Sequence, residues 1–204
     1  DPVETTFEAT PLKIGERLYF CTPHQDVIAL DATTGQEVWR ADMKVAGELA
    51  LQHLTCRGLS YAPADAAAAE GGTPAAGGTA CAAKLFMPTA DGRLVALDPE
   101  TGALCTGFGE GGAVNLWANM PNVKPGAYYS TSPVVVAGGV VIVGGTVLDN
   151  VSTEEASGVI RAFDLETGRL VWNWDSGNPD DTAPLPEGGR YTPNSPNSWS
   201  ISSV

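Results

Sequence analysis

Basic residues are scarce in this 204-residue chain: 11 Lys and Arg stand against 24 Asp and Glu, a formal net charge of −13. Such a surface repels phosphate backbones and anionic lipid, which argues against nucleic acid as a partner. Long apolar runs are missing as well. The longest, residues 134–143, contains Gly138 and Gly139 and falls well short of the ~20 residues of a membrane helix. No charged segment followed by an apolar stretch opens the chain at Asp1. The expectation is that a targeting segment has been removed or that the chain belongs to something longer. Charged residues are only 17% against 43% apolar, which excludes a coiled coil or a highly charged disordered chain. There is no Ser-His-Asp arrangement, P-loop or dinucleotide-binding fingerprint. The glycine-rich GFGEGGA at 107–113 follows a turn motif instead of opening a helix.

Cysteine is sparse and its spacing is uninformative about metals. Cys21, Cys56, Cys81 and Cys105 form no CxxC pair, so a zinc knuckle or thioredoxin-type motif is not expected. One or two disulfides in an oxidising compartment, with three full pairings open, and buried free thiols remain equal alternatives.

What the chain does have is 24 Gly and 15 Pro, hence many turns between short elements, and an internal repeat. Residues 27–40 read VIALDATTGQEVWR, 94–108 read LVALDPETGALCTGF and 159–174 read VIRAFDLETGRLVWNW. Asp31, Asp98 and Asp164 lie 67 and 66 residues apart, each opening D-x-x-T-G. In each copy an alternating strand runs into a turn whose aspartate can accept backbone N–H groups and whose glycine can take positive φ. A second strand leaves the turn carrying Trp39 or Trp172, with Thr106 at that place in the middle copy. Upstream strands are predicted over 17–21, 84–87 and 140–143, and first strands over 7–14, 55–61 and 131–137. Four strands per repeat at this period predict an all-β fold of propeller blades, the tryptophans docking between blades.

The blades are placed at about 6–42, 52–108 and 130–175 of a single partial propeller domain spanning 1–204. The next blade begins at 190–204. Residues 62–80, rich in Ala, Gly and Pro, read as a flexible surface loop, and 107–129 as a long connection. Three blades cannot close a ring, so the chain is expected to be a fragment whose open sheet edges invite edge-to-edge self-association.

Few residues could carry chemistry. His24 sits in a turn, TPHQD. His53 and Arg57, four apart at the start of a blade's first strand, share a face because the side-chain period is two. They could hold an anionic ligand, Arg57 gripping a carboxylate, or form a buried structural pair. Asp149 and Asn150 follow an apolar strand. Their oxygens suit Ca²⁺ or Mg²⁺, although an Asp-Asn pair after a strand is more often just a turn. Trp199, among small polar residues in NSPNSW, is either a flat stacking platform or a packing residue.

The D-x-x-T-G-x-x-x-W repeats resemble those of quinoprotein dehydrogenases. FEATPLKIGERLYFCTPHQDVIALDATTG, QHLTCRGLSY, NMPNVKPG, ASGVIRAFD and NSPNSW are similar to the membrane-bound branch, which includes pyrroloquinoline quinone (PQQ) glucose dehydrogenase and quinate/shikimate dehydrogenase. That resemblance covers nearly the whole chain. It implies an eight-bladed propeller on the periplasmic side of the inner membrane, held there by a segment outside this chain, with PQQ and Ca²⁺ or Mg²⁺ on its axis. A sugar or cyclic polyol (glucose, quinate or shikimate) would pass hydride to PQQ, and electrons would go on to ubiquinone. His53, Arg57 and Trp199 match the family's PQQ-binding positions, Trp199 forming the floor under the ring. Asp149 and Asn150 match its metal-site pair. The family's aspartate base lies in a later blade, so no catalytic residue is expected here and the fragment should be inactive alone. The alternative is a non-catalytic propeller scaffold of the outer-membrane assembly type. An alcohol dehydrogenase of the soluble branch would carry adjacent cysteines, which do not occur.

Overall fold

In the computed structural model, residues 5–45, 49, 53–66, 81–196, 198–200 and 202–203 are described. They form three four-stranded antiparallel sheets. The first is β1 (Leu12–Ile14), β2 (Arg17–Cys21), β3 (Asp26–Asp31) and β4 (Glu37–Asp42), side by side in chain order. The second is β5 (Ser60–Ala62), β6 (Lys84–Pro88), β7 (Arg93–Leu97) and β8 (Ala113–Asn115). A short strand, β9 (Tyr128–Tyr129), leads to the third sheet, β10 (Val135–Ala137) and β11 (Val140–Val143). After the excursion β12 (Thr146–Val147), which pairs with β9, that sheet is completed by β13 (Ile160–Asp164) and β14 (Leu170–Trp174). Most of the 62–80 stretch, expected to be a surface loop, lies outside the described residues.

The repeated turn behaves as its residues dictate. Asp31 Oδ1 accepts from the backbone of Thr33 and Thr34 at 3.0 and 2.8 Å, and from the Thr34 hydroxyl at 2.9 Å. Asp98 and Asp164 repeat the arrangement on Glu100 and Thr101 and on Glu166 and Thr167. Hydrogen bonds from Thr34, first its N–H and then its hydroxyl, hold the Asp31 carboxyl below its usual pKa. Gly35, Gly102 and Gly168 take φ of 73°, 73° and 70°, a region that side chains with a Cβ disfavour.

The middle sheet is buried on both faces. Leu85, Met87, Val95 and Leu97 pack toward the first sheet with Tyr19, Val27 and Ala29. The alternate residues Phe86, Leu94 and Ala96 pack toward the third with Phe108, Val141 and Phe163. Two cores therefore follow from the period of two along β6 and β7.

Trp39 docks as expected. Its ring covers Gly102 so closely that a Cβ there would sit 2.6 Å from it, and its Nε1 donates to the Pro99 carbonyl at 3.0 Å. Where Thr106 replaces the tryptophan, another contact takes over. The Gly168 turn rests on Gly109 and Val114, and the Gly109 N–H donates to Thr167 O at 2.9 Å. Correspondingly, the fourth strand of the second sheet does not leave the turn directly. The chain detours through residues 104–112, Leu104 bridging to Leu97, before β8. Of the three pairings open to the cysteines, the structure has Cys21–Cys56, joining the first two blades, and Cys81–Cys105, within the second.

Candidate functional site

The expected first strands pair with their own sheets only over their last residues. Upstream, the segments turn to one another instead. Thr5 bridges Leu54 and Thr10 bridges Gly58, both parallel. The Thr10 N–H donates to Arg57 O at 2.9 Å, and the Arg57 N–H donates to Thr131 O at 2.8 Å. Their backbone groups are satisfied between blades, which lines up the innermost segments of all three along one edge.

A cavity of about 350 Å³ opens on that edge, lined by His53, Thr55, Arg57, Tyr129, Thr131, Thr146, Val147, Asp149 and Trp199. Four of the five residues singled out in the sequence thus share one wall, although they come from positions as far apart as 53 and 199. Asn150, exposed and next to Asp149, is not part of the lining. The pairing of β9 with β12 sets Tyr129 opposite Thr146, which delivers Asp149 two residues beyond β12. Gly145 lets the Tyr128 ring pass where a Cβ would lie 2.3 Å from it.

Arg57 is the hub. Its Nε donates to Glu8 Oε2 at 2.8 Å, Nη1 donates to the Thr131 hydroxyl, and the guanidinium stands 5.4 Å from the Trp199 ring centroid. Glu8 is held below its usual pKa, first by the Thr6 hydroxyl at 2.7 Å and, against a smaller opposing effect of burial, by Arg57. Trp199 is 50% exposed, so its indole is open to a flat partner. Glu8, Thr131 and Tyr129 escaped the sequence reading. Glu8 is 49 residues from Arg57 and Thr131 is 74, and no local spacing encodes contacts that only the stacking of blades creates.

Among the described residues, no three His, Cys, Asp or Glu side chains are clustered so as to hold a metal ion. Asp149 and Asn150 together offer fewer oxygens than the six to eight that Ca²⁺ takes, so any ion here would draw on further ligands. Among the described residues, no helix is long and apolar enough to cross a membrane.

Comparison with known proteins identifies the family. The chain is 46% identical over 202 residues to quinoprotein glucose dehydrogenase A of Acinetobacter calcoaceticus, covering 98% of this chain and 25% of that protein. It is 36% identical to the quinate/shikimate dehydrogenase (quinone) of Acinetobacter baylyi, covering 96% of this chain and 25% of the relative. The chain thus spans about a quarter of the length of these relatives. The crystal structure of quinohemoprotein alcohol dehydrogenase from Comamonas testosteroni shares the fold, with a TM-score of 0.55 at 24% identity over 85% of this chain and 21% of that one. The family described as PQQ: Glucose/ethanol/alcohol dehydrogenase, beta-propeller domain, matches residues 1–204, and the chain belongs to it.

Proposed function

We propose that this chain is a segment of a PQQ-dependent dehydrogenase that oxidises a sugar or cyclic polyol, glucose, quinate or shikimate. Electrons would pass to ubiquinone at the periplasmic side of the inner membrane. The observation that carries the reading is the convergence of His53, Arg57, Asp149 and Trp199 on one cavity. A cation, an indole face, hydroxyls and a carboxylate are the donor set that a flat, polyanionic quinone with a metal ion at its edge requires.

Arg57 would neutralise a carboxylate of PQQ, and charge-assisted bonds of this kind are about twice as strong as neutral ones. Its bond to Glu8 fixes the guanidinium through one N–H and its bond to Thr131 through another, so the group is oriented before a ligand arrives. Thr55 and Thr131 supply hydroxyls, His53 a further polar contact, and Trp199 the stacking surface. Asp149 and Asn150 would give oxygens to Ca²⁺ or Mg²⁺. Bound PQQ supplies the hydride acceptor, which no side chain can be. No residue of this chain is assigned as the base that removes the substrate proton.

The test is reconstitution of the full-length enzyme containing this segment with PQQ and Ca²⁺ or Mg²⁺, assayed with glucose and with quinate and an artificial electron acceptor. Activity should require PQQ, and Trp199→Ala and His53→Ala should each lower PQQ affinity by about tenfold or more, as expected for loss of ~1.4 kcal/mol. A protein that binds no PQQ overturns the reading. The preferred substrate selects the branch.

A further inference from the structure

Three connections interlock beside the cavity, the second of them contributing Asp149 to its lining. They are residues 116–128, 148–158 and 186–196, tied together by three asparagines in the left-handed conformation, two in the first connection and one in the third. Asn119 (φ 61°) donates from Nδ2 to Gly189 O at 2.8 Å and accepts from the Tyr191 N–H at 3.1 Å. Asn122 (φ 49°) donates to Glu154 O at 2.8 Å. Asn194 (φ 54°) accepts from the Glu155 N–H at 3.2 Å and donates its own N–H to Ala156 O at 3.0 Å. Asparagine is suited to this double task, because it tolerates positive φ and carries an amide that reaches a neighbouring backbone.

The third connection then runs along a prepared track. The Ser195 hydroxyl, buried, meets Ser157 Oγ at 2.9 Å and accepts from the Gly158 N–H at 3.0 Å. A Cβ on Gly158 would lie 2.2 Å from Pro196 O, and one on Gly144 would lie 2.3 Å from Ser198 O. Both glycines are therefore required for the close approach of the segment. The track ends where Ser132 Oγ donates to the Trp199 carbonyl.

We infer that Asn194 and Ser195 are positioning residues, which fix Trp199 and the turn carrying Asp149 relative to one another although neither touches the cavity. This rests on the reading above, in which Trp199 and Asp149 face the same ligand. Asn194 joins the segment ending in Trp199 to the 149–155 turn directly, through Glu155 and Ala156. Ser195 keeps that segment on the third blade. Without the clasp, the stacking surface and the carboxylate move independently, and a rigid flat ligand bridging both loses affinity while the blades stay folded.

The experiment uses the full-length protein in three variants. Asn194→Gly keeps the backbone conformation and removes the acceptor. Asn194→Asp restores an acceptor. Ser195→Ala removes the buried hydroxyl. Hydrogen exchange without ligand should show faster exchange in both 149–155 and 198–200 for Asn194→Gly and Ser195→Ala, with β2 and β3 of the first blade unchanged. PQQ with Ca²⁺ should bind these variants about tenfold more weakly than wild type, and Asn194→Asp within about twofold. Wild-type exchange in either segment of Asn194→Gly, or unchanged PQQ affinity despite faster exchange, overturns the inference. Should Ser195→Ala fail to fold, Asn194→Gly decides alone. If the wild-type protein binds no PQQ, it is the proposed function that fails, and coupled exchange of the two segments still decides whether the clasp exists.

Discussion

The two contacts between neighbouring blades solve one problem with different chemistry. Between the first and second, the Trp39 ring lies on Gly102, its indole N–H and the Tyr19 hydroxyl share the Pro99 carbonyl, and Cys21–Cys56 adds a covalent link. Gln25 bridges further, donating to Thr55 O and accepting from the Ala90 N–H. Between the second and third, charge is buried. Lys84 Nζ meets Glu166 Oε2 at 2.7 Å with the lysine side chain 3% exposed. Arg161, equally buried, stands 5.4 to 5.8 Å from the rings of Tyr128, Phe163 and Tyr191 and donates to the Leu116 carbonyl at 2.7 Å. The first contact spreads these hydrogen bonds over neutral groups and, among the described residues, buries no ion pair. The second depends on each charge keeping its partner, since an uncompensated buried charge costs far more than a matched pair contributes.

The sharpest way to break this comparison is at Glu166. Glu166→Ala should leave Lys84 buried and unpaired and cost about 3–5 kcal/mol, read as a lower denaturant midpoint at unchanged slope. Lys84→Met combined with Glu166→Leu should come back to within about 1 kcal/mol of wild type, because a matched apolar pair removes both desolvation costs. A double variant as unstable as the single one would show that the ion pair itself, and not the avoidance of a lone charge, holds the second contact.

A smaller effect tests the first contact. Gly102→Ala introduces a Cβ 2.6 Å from the Trp39 ring at a φ of 73°, whereas Gly15→Ala, at a φ of 53°, meets nothing within 4 Å. Left-handed strain alone costs about 1–2 kcal/mol, and overpacking adds about 1–3 kcal/mol. Gly102→Ala should therefore exceed Gly15→Ala by the overpacking contribution in thermal or chemical unfolding. Equal losses would mean that the tryptophan yields freely.

The smallest effect separates buried from exposed charge. Glu8 is bonded to Arg57 at the cavity edge with 39% of its side chain exposed, so screening weakens that pair. Its folded pKa lies below the ordinary 4.5, so its stabilisation is complete above that pH and is lost as pH falls through the lower folded value. The difference in stability between wild type and Glu8→Gln should be constant at neutral pH, shrink below pH 4.5 and shrink in molar salt. The loss in Glu166→Ala should be insensitive to salt. Equal salt dependence would remove the distinction.

Much of this was legible in the repeats. The aspartate, threonine and glycine of D-x-x-T-G act locally, so Asp31, Asp98 and Asp164 could be assigned to turns from spacing alone, and alternation placed β2, β6 and β11 within a residue. The all-β propeller fold and the family followed from the same motifs. What sequence could not supply came from contacts between blades. The lead-in segments before β1 and β5 look like strand continuations, yet their backbone bonds go to neighbouring blades. The replacement for the missing tryptophan at Thr106 lies three residues later, in Gly109, where a glycine-rich stretch had suggested only a loop. The disulfide pairing was likewise undetermined, because it depends on which blades adjoin. His53, Arg57, Asp149 and Trp199 were picked out individually, but their convergence depends on β9 meeting β12 and on where residues 194–196 and Trp199 are held.

The unlike blade contacts also bear on how such a chain assembles. The D-x-x-T-G turns at Gly102 and Gly168 each receive the preceding blade, and they have nearly the same shape. With identical couplings throughout, the first blade could seat on the third turn as readily as on the second, skipping a repeat and trapping a misordered array. Trp39 at one junction and the Lys84–Glu166 pair at the next give each junction its own complement. A blade seated out of turn would strand a buried charge, and the order of the repeats is thereby written into their mutual recognition.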